Sequence, residues 1–120
     1  MENKNLSKEE VLEIVKGFKL QPTRGKVITT INTETYDEGE LQDSMETLSE
    51  YQYIVAVPSN STLTPGDKVL IDIMKMSIPV TSPTNAYEQS SQIQLDPLKI
   101  GDNIFTFVNE GFIKAVEVNE

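Results

Sequence analysis

The chain opens on a helical pattern and then changes to a strand pattern. Ser7-Lys8-Glu9-Glu10 has the form of a capping box, with Ser at the N-cap and Glu three residues on. Val11, Leu12, Ile14, Val15 and Phe18 follow at helical spacing, which predicts one helix over 8–17 ended by Gly17. A docking helix that covers one end of a β core is the expected role. After Pro22 the apolar residues alternate instead. Strands are predicted at 26–32, 51–57, 68–74, 104–108 and 112–118. Turns are marked by Pro65-Gly66-Asp67, Gly101-Asp102 and Asn109-Glu110-Gly111, the last read as a tight hairpin between the final two strands. The fold class expected is mostly β: a small, partly closed barrel of five to seven strands, with one N-terminal helix and two long loops.

Those loops break the alternation. Residues 33–50 carry Glu34, Asp37, Glu38, Glu40, Asp43, Glu46 and Glu50 with no basic residue among them. Leu41, Met45 and Leu48 fall at helical spacing there, so the segment reads as a mobile loop, or as a short helix that forms on a partner. Residues 75–95 are rich in Ser, Thr, Gln and Pro, with a short strand expected at 92–95. The domain plan is a helical extension over 1–20 and a β-barrel domain over 21–120.

Composition narrows what such a domain can do. A chain of 120 residues holds one modest core. Its hydrophobic share of 38% is low for a globular domain, so the core is thin or completed by a neighbouring subunit. The formal charge of −9 repels phosphate backbones and anionic headgroups, which speaks against nucleic acid and membrane partners. No cysteine is present, which fits a reducing compartment and excludes disulfides and zinc–thiolate sites. No histidine is present either, so the commonest general base and metal ligand is missing. The polar start of the chain is unlike a secretory signal, and the expected location is cytoplasmic.

Candidate chemistry is sparse. Tyr36-Asp37-Glu38-Gly39-Glu40 lacks the ligand spacing of a calcium loop. The hydroxyl residues have no activating motif, and there is no glycine-rich phosphate loop. Tyr51 and Tyr53, or Phe105 and Phe107, could stack bases, but aromatics at a spacing of two in a strand belong more often to a core. The chain is read as no enzyme, with no cofactor and no metal, acting by binding.

Four stretches, taken in order, resemble the GroES-type co-chaperonin family. They are Leu20 to Val27 (LQPTRGKV), Val55-Ala56-Val57, Leu63 to Leu70 (LTPGDKVL), and Asn103 to Val118 with its closing Ile113-Lys114-Ala115-Val116. The resemblance implies a β-barrel protomer, a homo-oligomeric ring, and a loop that docks on a chaperonin. By position that loop is 33–50, which makes Gly39, Leu41, Met45 and Leu48 the partner-binding residues. Phe105, Phe107, Ile113 and Val116 of the closing strands are the expected subunit interface. Where the family shows consecutive aliphatics, this chain has Gly39-Glu40-Leu41-Gln42. The expectation is a divergent, phage-encoded member that caps a chaperonin and assists folding. The alternative is a viral capsid or tail protein reusing a small barrel in the virion.

Overall fold

The computed structural model describes residues 5–37, 44–81, 89–93 and 95–118. Its helix α1 spans Lys8–Gly17 and begins as the capping box predicts. The Glu10 amide donates to Ser7 Oγ at 3.3 Å, and the Ser7 amide donates to Glu10 Oε1 at 3.2 Å. The helix does not end on a left-handed glycine. Gly17 is its last residue, and extended Phe18 is the C-cap, its amide donating to the Val15 carbonyl. Val11 is fully buried, and Ile14, Val15 and Phe18 pack around the same cluster. Leu12 stays 41% exposed, yet it lies over the Pro65-Gly66 turn. A Cβ at Gly66 would come within 2.7 Å of Leu12 Cδ2, and the glycine's φ of +97° already disfavours any side chain.

Phe18 meets Phe105 edge-on, with ring centroids 5.8 Å apart and planes at 89°. Because Phe18 is only half-buried, Phe18→Ala is expected to cost about 2 kcal/mol. Urea denaturation measures this. A shift below about half a kcal/mol, the size of an ordinary surface substitution, would show that α1 is not docked.

Ten strands follow in the described residues: β1 (Lys26–Thr30), β2 (Thr33–Asp37), β3 (Ser44–Leu48), β4 (Tyr51–Ala56), β5 (Lys68–Ile71), β6 (Ser77–Thr81), β7 (Gln89–Ile93), β8 (Asp96–Ile100), β9 (Asn103–Asn109) and β10 (Ile113–Val116). Six form one antiparallel sheet in the order β10-β5-β4-β1-β9-β8. The fold is mostly β with one helix, as expected. The segments expected to be long loops each carry a hairpin in their described parts, β2–β3 and β6–β7. Residues 73–74, expected at the end of a strand, instead begin a 3-10 turn, Ile73–Met76.

The last two strands are not a hairpin. β9 pairs with β1 and β8, while β10 crosses to the far side and pairs with β5. In a flat sheet β9 and β10 would stand four strand spacings, roughly 19 Å, apart. The 3-10 turn Glu110–Phe112 joins them, and the four residue steps from Asn109 to Ile113 reach at most about 14 Å. The sheet must therefore curl. Two hydrogen bonds hold the crossing: Glu110 N to Gly25 O at 2.9 Å, and Asp72 N to Phe112 O at 2.7 Å. Among the described residues β8 and β10 remain edges, so the sheet is curled but not closed into a barrel.

Alternation along the strands supplies both faces of this sheet with apolar side chains. Ile28, Val55 and Phe105 join Leu6 and Val11 under α1. Val27, Ile54, Val69, Ile71 and Val108 join Met76 in the layer enclosed by the curl. The helix thus shares a core with the sheet, as expected of a docking helix.

Candidate functional site

β2 and β3 leave the sheet between β1 and β4, and their departure breaks the ladder. Backbone groups at Asn32 and Ser49 lose the strand partners they would otherwise have and need others. Gln52 of β4, only 2% exposed, supplies them. Its Oε1 accepts from Thr30 Oγ1 at 2.8 Å and from Asn32 N at 2.7 Å. Its Nε2 donates to Asn32 O at 2.8 Å and to Ser49 O at 2.9 Å. Both lone-pair directions and both N–H groups of the carboxamide are used. Thr30 Oγ1 also accepts from Tyr53 N at 3.0 Å, and Ser49 Oγ donates to Glu34 Oε1 at 3.0 Å. Among the described residues no buried side-chain polar atom lacks a partner. The hairpin root is thus a satisfied polar network set into an apolar sheet.

Beyond the root the hairpin runs in regular register, Thr33 opposite Leu48, Tyr36 opposite Met45 and Asp37 opposite Ser44. Met45 and Leu48 therefore stand in a strand, and the helix expected from their spacing with Leu41 is not formed across Ser44–Leu48. Gly39 and Leu41 lie outside the described residues. The register explains why strands win here. Glu34 stands opposite Thr47, Glu46 opposite Thr35, and Asp37 opposite Ser44, so no acid directly faces another across the ladder. The flanking threonines and Tyr36 also favour extended backbone.

An open cleft of about 450 Å³ lies at the root, bounded by Ser7, Glu10, Glu34, Tyr51, Tyr53 and Lys68 among others. Lys68 Nζ sits 5.2 Å from the centre of the Tyr51 ring and 3.7 Å from Glu117 Oε2. The cleft combines aromatic surface with charges of both signs. Among the described residues no three acids, histidines or cysteines come together as metal ligands.

The four expected interface residues are divided between layers. Phe105 is 1% exposed and belongs to the cluster under α1, with half-buried Phe107 packed against it. Ile113 is half-buried in the curl. Val116, at the free edge, is exposed, and Val118 beyond it is 81% exposed. Phe105 thus belongs to the chain's own core, while Val116 is exposed.

Sequence reasoning missed Gln52, Asn32 and Asn5. One signal was available: Gln52 falls on the same strand face as Ile54, a polar residue in an apolar alternation. Comparison with protein-family models, with curated proteins and with solved structures finds no match for this chain.

Proposed function

We propose that the protein is a binding subunit without chemistry of its own, a co-chaperonin-like protomer of a homo-oligomeric ring. It presents the acidic hairpin β2–β3 to a chaperonin in the cytoplasm and so assists protein folding. The observation that carries this reading is the hairpin itself. An acidic arm leaves the sheet from a root in which every hydrogen-bonding position of Gln52 is filled. Such a root suits an arm that must hold its direction while bearing a partner. The order of the family-like stretches along the chain supports the same reading, and so does the edge of β10, which has no outer strand partner among the described residues. An exposed edge strand is a template for pairing with a second copy. The ring would then be sealed at β10, with Val116 in the seam.

The test changes Leu41 and Met45 together to Ser and measures chaperonin binding at unchanged stability. Loss of affinity of about tenfold or more is expected, the usual cost of truncating apolar contacts at an interface. Undiminished binding overturns the reading. A second reading, a viral capsid or tail subunit in a virion, is favoured by two observations. The arm offers a single aliphatic in Gly39-Glu40-Leu41-Gln42, and a second hairpin, β6–β7, branches from the same sheet. Light scattering separates the two. A discrete closed ring of the isolated chain supports the co-chaperonin, and a monomer that assembles only with other structural proteins supports the virion.

A further inference from the structure

The hairpin root is also joined to the N-terminal segment, by a reciprocal exchange of amide groups. Asn5 Nδ2 donates to Thr33 O at 2.8 Å, and Thr33 N donates to Asn5 Oδ1 at 3.0 Å. Leu6 N donates to Asn32 Oδ1 at 3.0 Å, and Asn32 Nδ2 donates to Leu6 O at 2.9 Å. Each asparagine side chain thus acts toward the opposite backbone as a strand neighbour would, with one donor and one acceptor. These pairs bridge 26 to 28 residues of sequence.

Their position matters. Asn5 and Leu6 lead directly into Ser7, the N-cap of α1, and Leu6 is buried in the cluster that holds Val11. Asn32 and Thr33 form the start of the arm, and Asn32 O also accepts from Ser49 N on the returning strand at 3.0 Å. A short chain of contacts therefore runs from the helix core through Leu6 and Asn32 to both legs of the hairpin.

We infer that Asn5 and Asn32 are positioning residues that make α1 and the hairpin β2–β3 one mechanical unit, so that docking of the helix sets the direction in which the arm meets its protein partner. The inference rests on the reading of the hairpin as a binding arm for its purpose, but the coupling belongs to the free protein. Two regions meeting at shared hydrogen bonds open together when those bonds dominate the local stability. A partner that orders the arm then also favours the docked helix.

Hydrogen exchange on the full chain tests this through the amides of Leu6, Thr33 and Ser49. Asn5→Ala removes an exposed side chain without touching the core, and Val11→Ala loosens α1 through a buried apolar side chain that makes no hydrogen bond to either asparagine. Both are expected to speed exchange at all three amides about tenfold, while amides between β1 and β9 keep their protection. Glu13→Ala, which breaks only the exposed ion pair with Lys16, serves as control and should change none of them. If Val11→Ala speeds exchange within α1 while Thr33 and Ser49 stay as in the parent, the coupling is overturned. Unchanged exchange at Thr33 in Asn5→Ala overturns it equally. Chaperonin binding provides a separate readout. Faster exchange with undiminished binding upholds the coupling and removes the binding-arm reading.

Discussion

Gln52→Ala is expected to destabilise the protein by about 4 kcal/mol, more than a polar-to-alanine change usually does. The carboxamide makes four hydrogen bonds from a buried site. Truncation leaves the Asn32 amide, the Asn32 and Ser49 carbonyls and the Thr30 hydroxyl each short of a partner. A buried group left unsatisfied costs about 1–3 kcal/mol. The Asn32 carbonyl keeps its bond from Ser49 N, and the Thr30 hydroxyl keeps its bond from Tyr53 N. Water entering the space left by the carboxamide recovers part of the rest, which places the total near the middle of the possible range. The urea midpoint, with the slope of the transition checked for constancy, measures the effect. A loss below about 1 kcal/mol would show that the root is already open to water.

Phe105→Ala is expected to cost a similar amount, about 4 kcal/mol, for a different reason. The ring is 1% exposed and is the edge-on partner of Phe18. Its backbone pairs with Thr30 of β1 and Leu98 of β8, so the cavity would open between two strands and the helix above them. Rigid ladders on either side prevent the site from collapsing onto the void. Val116→Ala, at an exposed edge position, is the control and should change stability by less than about half a kcal/mol. Thermal or urea unfolding measures both losses. A Phe105→Ala protein as stable as the parent would show that the ring does not fill the core. Either large loss is a substantial fraction of the roughly 5–15 kcal/mol that holds a domain together.

Single substitutions can reach this far because the core is divided. A hydrophobic share of 38% is spread over two clusters on opposite faces of one curled sheet. Each cluster is small, so one large ring or one saturated carboxamide is a large part of what holds its layer. The expectation of a thin core thus takes a specific form, two thin layers sharing the same strands.

Several features were determined by the sequence alone because their causes are local. The start of α1 follows from Ser7 and Glu10, three residues apart. The turns at Gly66 and Gly101 follow from glycines that adopt positive φ. The central strands β1, β4, β5 and β9 follow from alternation that feeds two apolar faces. Other features were decided only by tertiary structure. The pattern at 112–118 marks a strand but carries no information about its neighbour. Curling of the sheet, not the Asn109-Glu110-Gly111 turn, sends β10 to β5. Helical spacing of Leu41, Met45 and Leu48 is real in the sequence, yet Ser44–Leu48 is a strand because a facing strand, Thr33–Asp37, interleaves its acids with theirs. Gln52 reads as a blemish on an apolar face until two departing strands present unpaired backbone groups beside it. In each case the deciding partner lies far along the chain, and a local pattern cannot name a partner that only the closed fold brings near.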